Sequence, residues 1–560
     1  MNGFVIVLIS AVVFIAAYLL YGRWLVKTWG IDPKAKTPAY TEEDGQDYIP
    51  TPKSVVFAHQ FSSITGAGPV TGPIIAAMFG WLPALLWILI GGVFFGAVHD
   101  FCAMYASVKN KGKSIGLIIE QYIGKTGKHL FLAFSWIFSL LVIAAFADIV
   151  ATTFNSFQAD GAVNTPSAAA ASISMLYIVV AVLFGLFIKF VKPNQGVMFA
   201  VGLVLFFAML AGGMALPIYA DKMTWLLVVF AYIFVAAVVP MWILMQPRDY
   251  LSAFLLISMI ICAVAGVLIK RPVMNLPAFT GFSVSGKYLF PTLFVTIACG
   301  AISGFHSLVS SGTSSKQIRN EKDMLPTSYG AMLVESMLAV VAVVVAGSVA
   351  VNGKLPNETP FVIFSSSIAG FLTSVGLPKN IALCFMTMCV SALALTTLDT
   401  VARIGRMSWQ ELFASSDGKS GIIRKIITNK YVATVLTLVF GFLLSLGGYN
   451  NIWPLFGSAN QLLGALVLIA LAVFLKTTGR KGFMLWIPMC FMLVVTFTAL
   501  VISTVSICQK LFITGNFVVL TDGLQLIVAI LLMVLGLMVA FHGFGKLVQT
   551  KKDSSEIAAK

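Results

Sequence analysis

Apolar runs of about 20 residues, separated by short polar segments, recur along the whole chain. A helix of that length spans the hydrocarbon of a bilayer. The pattern predicts about fifteen spans, near 3–26, 54–79, 82–107, 129–156, 167–190, 194–217, 224–245, 249–270, 288–312, 326–350, 379–405, 429–447, 451–475, 482–507 and 522–545. The segment 360–376 is apolar but shorter, and reads as a half-span or a surface helix. The expected fold is therefore all-α and polytopic, because lipid satisfies no backbone polar group and only closed hydrogen-bond patterns cross it.

Two of these spans are irregular. One contains FAHQFSSITGAGPVTGP at 57–73 and the other CGAISGFHSLVSSGT at 299–313. Glycine and proline weaken a helix by about 1 and 3 kcal/mol each, so both spans are expected to be discontinuous. Each starts a run of five spans. The first run begins on the inner side and the second on the outer, which predicts a five-plus-five inverted repeat. The expected division is 1–53 (a span and cytoplasmic loop), 54–217 (first repeat), 218–287 (two linking spans), 288–476 (second repeat) and 477–560 (two spans and a tail).

Composition agrees with the pattern. Hydrophobic residues make up 59% of the 560 and charged residues only 10%, well short of the roughly one quarter charged that covers a soluble surface. The net charge of +15 is explained by topology. With an outside N-terminus and alternating loops, 29 of the 36 basic residues fall inside, as the positive-inside rule requires. The chain is thus expected in a membrane, with its C-terminus cytoplasmic and no nucleic-acid partner. The first run has its basic residues, Arg23 and Lys27, after the apolar stretch, unlike a cleaved signal peptide. The seven cysteines are scattered, without a disulfide or zinc spacing.

A break at mid-membrane frees backbone groups. Around Gly66, Gly68, Gly300 and Gly304 the second half-helix is expected to present N–H groups suited to a carboxylate, and the first half to present carbonyls suited to a cation. His59, Ser62, Ser63, His306 and Ser310 flank the breaks and complete the expected substrate-binding set. Ionisable residues inside spans are functional candidates. Asp148, Glu335 and Asp399, with Thr396 and Thr397, are the expected ion-coupling groups, for a proton or sodium. An i,i+4 pair of Asp399 with Arg403 is the structural alternative. His99 with Asp100 reads as a helix-to-helix bond, and Gln60, Asn460 and Gln461 as further helix contacts.

The segments at 57–73, GAVHDF at 96–101, GFHSLVSSGTSSKQI at 304–318, TTLDTVAR at 396–403 and NNIWPLFGSANQLL at 450–463 resemble the carbon starvation protein A family. That resemblance implies an inner-membrane symporter, driven by protons or another ion, for peptides or pyruvate. It also implies the fold of the amino acid–polyamine–organocation transporters, with 66–69 and 300–304 as the unwound segments. Thr396 and Thr397 match the helix on which sodium-coupled relatives place hydroxyl ligands. Some proton-coupled relatives use a lysine on the fifth helix of the first repeat, and span 194–217 has none. The expected activity is secondary-active import of a small carboxylate such as pyruvate, or a short peptide. A metal-ion transporter of the same fold is the alternative, for which Cys299 is the sole sulfur at a break. No enzymatic activity and no cofactor are expected, and the oligomeric state is left open.

Overall fold

The computed structural model describes residues 2–45, 47–157, 162–240, 243–414, 421–515, 517–518 and 522–558. The apolar runs fold as helices whose ends are set by local chemistry. Asn164, Asn194, Asp221, Thr359 and Asn429 each accept a hydrogen bond from a first-turn N–H. Gly30, at φ +67°, ends the first helix in the left-handed region.

In chain order the main helices are α1 (Gly3–Trp29), α2 (Lys53–Ile64), α3 (Gly68–Phe79), α4 (Trp81–Lys109), α5 (Ile115–Tyr122), α6 (Lys125–Phe154), α7 (Thr165–Val191) and α8 (Gln195–Ala215). Next come α9 (Lys222–Val238), α10 (Met245–Lys270), α11 (Leu289–Thr296), α12 (Gly304–Gly312) and α13 (Glu321–Val349). The chain continues with α14 (Pro360–Thr373), α15 (Lys379–Phe413), α16 (Lys430–Ser445), α17 (Tyr449–Thr477), α18 (Phe483–Ile513) and α19 (Leu524–Ala558). A two-stranded hairpin, Ser283–Val284 with Lys287–Tyr288, precedes α11.

Among the described residues, 11 helices are long and apolar enough to cross a membrane. The chain is a multi-pass membrane protein. The other expected spans are the interrupted pairs α2–α3 and α11–α12, and the shorter α9 and α16. The segment at 360–376 forms α14, packed on α3, α10, α13 and α15.

Helices α6, α15 and α17 are buried along most of their length. Helix α6 packs along α15, and α9 and α16 each touch both. The interrupted helices lie beside this group: α2 contacts α10, α12, α13 and α15, and α3 contacts α11 and α13. The α7–α8 hairpin packs mainly on itself, α10 and α15.

Candidate functional site

Both expected breaks are present. Helix α2 stops at Ile64, where Thr65 leaves the helical region at ψ 84°. The Gly66 N–H turns back to the Ile64 carbonyl at 2.9 Å. Helix α3 then starts at Gly68, with Pro69 in its first turn, where a missing N–H is tolerated. Helix α11 ends at Thr296 and α12 restarts at Gly304. The first half of each broken helix lies against the second half of the other, α2 on α12 and α11 on α3.

Glycine is what lets them touch. A Cβ on Gly68 would lie 2.4 Å from Cys299 Sγ, and one on Gly66 would lie 2.7 Å from Thr397 Oγ1 and 2.8 Å from Phe146. At Gly304 it would meet the backbone of α17, 2.3 Å from the Gly464 nitrogen. At Gly300 it would meet Ala339 at 2.6 Å. The two breaks are thus in direct contact. Phe146 covers Gly66 and stacks on Trp453, with ring centroids 6.4 Å apart.

One expectation needs correction here. The start of α12 is not left open, because the Asn460 side chain caps it. Asn460 Oδ1 accepts from the Phe305 N–H and from Ser303 Oγ, each at 3.1 Å, while Nδ2 donates to Ser303 Oγ at 3.0 Å. Asn460→Ala should therefore lower the thermal unfolding midpoint in detergent, by the roughly 1 kcal/mol of a lost cap. An unchanged midpoint would show that the cap is idle.

Beside the second break, four ionisable groups meet without solvent. His306 Nδ1 lies 2.8 Å from Asp100 Oδ2, and His99 Nδ1 lies 2.9 Å from Asp100 Oδ1. Glu335 Oε2 is 3.4 Å from His306 Nε2, and neither Glu335 oxygen has a hydrogen-bond partner. All four side chains are fully buried. The expected helix-to-helix role of the His99–Asp100 pair thus becomes part of a chain reaching from α4 through α12 to α13.

A second buried cluster flanks the first break. Arg248 of α10 donates to Asp399 of α15, to its neighbour Asp249, to Tyr232 Oη at 3.0 Å and to the Thr396 carbonyl at 3.2 Å. Tyr232 Oη donates to Asp399 at 2.8 Å. His59 of α2 joins through Nδ1, 2.8 Å from Asp249 Oδ2, and its Nε2 lies 3.0 Å from Thr313 Oγ1. Asp399 is therefore not paired with Arg403 as the i,i+4 alternative held. Arg403 donates to the carbonyls of Ala236 and Val239 instead.

The remaining candidates sort by place. Ser310 accepts from Gln60 at 2.9 Å and ties α2 to α12. Ser62 bonds the His59 carbonyl at 3.4 Å, and Ser63 Oγ is buried without a partner. Thr396 and Thr397 donate back into their own helix, at 2.9 and 3.2 Å, although Thr397 also faces Gly66. Gln461 donates to the Phe294 carbonyl on α11. Asp148 stands apart from both clusters. It pairs with Lys222 at 2.7 Å and accepts the Tyr449 N–H at 2.9 Å. Sequence reasoning missed Arg248, Asp249, Tyr232 and Thr313. The signal is the Pro-Arg-Asp-Tyr run at 247–250, in which Arg248 reads as one more inside charge. It is 2% exposed.

Residues 2–355 and 349–499 match the family described as carbon starvation protein CstA. A peptide transporter CstA of Escherichia coli (strain K12) is 32% identical over 577 residues, covering 89% of this chain and 80% of the relative. A pyruvate/proton symporter BtsT of the same organism is 30% identical, covering 88% and 81%. The Bacillus subtilis (strain 168) peptide transporter CstA is 31% identical, covering 88% and 89%. Among solved structures, MhsT in complex with L-phenylalanine aligns at TM-score 0.49 and 12% identity, covering 86% of this chain and 98% of that one. A manganese transporter of Eremococcus coleocola aligns at 0.45 and 12%, covering 91% and 99%. With the motifs in order along a match of nearly 500 residues, the chain belongs to the carbon starvation protein CstA family.

Proposed function

We propose that this protein is a proton-coupled symporter that imports small carboxylates such as pyruvate, or short peptides, by alternating access. The observation that carries the reading is the pair of interrupted helices in face-to-face contact, each joined to its own buried cluster of ionisable groups. The names of the relatives, peptide transporters and a pyruvate/proton symporter, support the substrate class and the coupling ion. Membership in a family of transporters agrees with the expectation of no enzymatic activity.

The substrate would enter between the two breaks. They touch at Gly68 and Cys299, so binding requires them to separate. Small cavities flank the contact. One is bordered by Thr71, Thr152 and Thr359, and the other by Ser114, Thr313 and Glu411. Opening first one and then the other is how a rocking bundle would pass cargo across a fixed site. The freed start of α3 is the better carboxylate receptor, since Asn460 fills the start of α12. The donor set at the breaks, of hydroxyls, amides and Cys299, gives a metal cargo less support. The basic-loop bias supports an inner-membrane orientation with the N-terminus outside and the C-terminus cytoplasmic.

The inverted repeat is best drawn through α9 and α10 rather than α7 and α8. Helix α9 touches α6 and α15, as α16 touches α15 and α6, and α10 lies on α2 as α17 lies on α12. The α7–α8 hairpin is then an insertion that preserves the orientation of everything after it. In that frame the fifth helix of the first repeat is α10, which carries Arg248 and not an uncharged face.

Purified protein in proteoliposomes tests the reading. An inward proton gradient should drive accumulation of labelled pyruvate or of di- and tripeptides, and a sodium gradient should not. Uptake indifferent to every ion gradient would sink the coupled mechanism.

A further inference from the structure

We propose that His59 is the group that carries the coupling proton, held doubly protonated between Asp249 and Thr313. This rests on the symport reading above and assigns it a residue.

Hydrogen-bond geometry carries the assignment. The Val309 carbonyl lies 2.9 Å from the Thr313 hydroxyl and can take its proton, which leaves the Thr313 oxygen as an acceptor toward His59. In the state we assign, His59 Nε2 is the donor. Three of the four oxygens of Asp249 and Asp399 take hydrogen bonds from groups other than His59. Asp399 accepts from Arg248, from Tyr232 and from the Thr400 N–H at 2.8 Å. Asp249 accepts from Arg248 through one oxygen, and its other oxygen faces His59. The Arg248 guanidinium pairs with both carboxylates and keeps them ionised, so Nδ1 of His59 also donates. A ring with two donating nitrogens is an imidazolium.

Charge balance requires the same state. Arg248, Asp249 and Asp399 are 2%, 0% and 0% exposed and sum to one negative charge. An uncompensated buried charge is severely penalised, and a cationic His59 brings the cluster to neutrality. Several other ionisable groups on elements packed against α2 have partners of their own, while Glu411 Oε2 has none. His306 and Glu335 belong to the Asp100 cluster, Arg403 bonds backbone carbonyls, Lys316 lies 3.7 Å from Asp47, and the Tyr329 hydroxyl donates to Val93.

The position suits a coupling group. His59 lies on the first half of one broken helix, and Thr313 immediately follows the second half of the other. Thr313 also borders a cavity of about 50 Å³ lined by Ser114, Ser135, Arg403 and Glu411, each with a buried polar atom lacking a protein partner. A cavity of that size has room for a few waters, held at those polar atoms. When α12 swings away, Nε2–H loses Thr313 and faces this water. The proton passes from Nε2 to a water molecule, which becomes hydronium, and a neutral ring remains with Nδ1–H on Asp249. The cluster is then one charge negative, which favours reloading once the site faces the other side.

Two experiments decide it. The first is solid-state nitrogen NMR of the wild-type protein in liposomes at neutral pH. The step Ala58–His59 is the sole Ala–His pair in the sequence, so carbonyl-labelled alanine with nitrogen-labelled histidine selects this ring without substitution. Both ring nitrogens are expected to be protonated, and a neutral ring overturns the proposal. This readout needs no substrate, so it stands or fails apart from the transport reading. The second is labelled pyruvate uptake under a gradient of about one pH unit, which supports about tenfold accumulation per proton. A folded His59→Gln protein should stay near an inside-to-outside ratio of about one, the value without proton coupling. Accumulation at the wild-type level overturns the assignment. Wild-type protein indifferent to the gradient removes the symport reading and the coupling role with it, and leaves the ring's protonation to the NMR result.

Discussion

Arg248→Met should be the most damaging single substitution in the molecule, lowering stability by about 3–5 kcal/mol. The guanidinium separates two buried carboxylates that belong to different helices. Methionine fills a similar volume but leaves Asp249 and Asp399 facing each other without a cation between them. Fluorescence-detected unfolding in detergent should show a large drop in midpoint, or a protein that no longer purifies. The charge argument also specifies a rescue. Arg248→Met combined with Asp399→Asn leaves Asp249 opposite a cationic His59, which is neutral overall, and should recover a substantial part of the loss. Arg248→Lys should fall between wild type and Arg248→Met, because a single ammonium cannot fork to both carboxylates. A double variant no better than the single one would show that hydrogen-bond geometry, not net charge, sets the penalty.

Gly304→Ala should come next, at about 1–3 kcal/mol, the usual range for overpacking a filled interior. Its added methyl would meet the Gly464 nitrogen at 2.3 Å and the Asn460 carbonyl oxygen at 2.5 Å. Both are backbone atoms of α17 and cannot rotate aside, so α12 and α17 must move apart. That shift would also disturb the Asn460 cap on the start of α12. Gly312→Ala, on the same helix with open space around it, is the control and should leave the unfolding midpoint close to wild type. Equal losses at both positions would show that the close approach to α17 does not set the effect, since helix propensity alone favours alanine over glycine.

These predictions draw on unequal shares of the sequence. Both breaks were legible, since Gly66, Gly68, Pro69, Gly300 and Gly304 carry local backbone preferences that no packing can hide. His59 and His306 were legible as candidates because a histidine in an apolar run is rare. Arg248 and Asp249 were not, because they stand at the very start of an apolar run, where charges normally mark a loop. Asn460 was read as a helix contact, yet it decides which of the two half-helix starts stays free. Asp148 and Asp399 looked equivalent by repeat position. Their partners differ, a half-exposed lysine for one and a buried arginine for the other.

The sequence by itself determined that the chain crosses a membrane many times, where two of its helices break, and which family it resembles. Those properties follow from hydropathy, backbone preference and ordered motifs, all local along the chain. Tertiary structure decided that the breaks touch, that α10 rather than α8 lies on the first broken helix, and that the buried charges fall into two clusters. Such pairings depend on which helices become neighbours. Helices α2, α10 and α15, with the residue that follows α12, bring together residues 59, 249, 313 and 399 across more than 300 positions of sequence. A charge reports its own cost wherever it stands, but its partner is known only when the helices have packed.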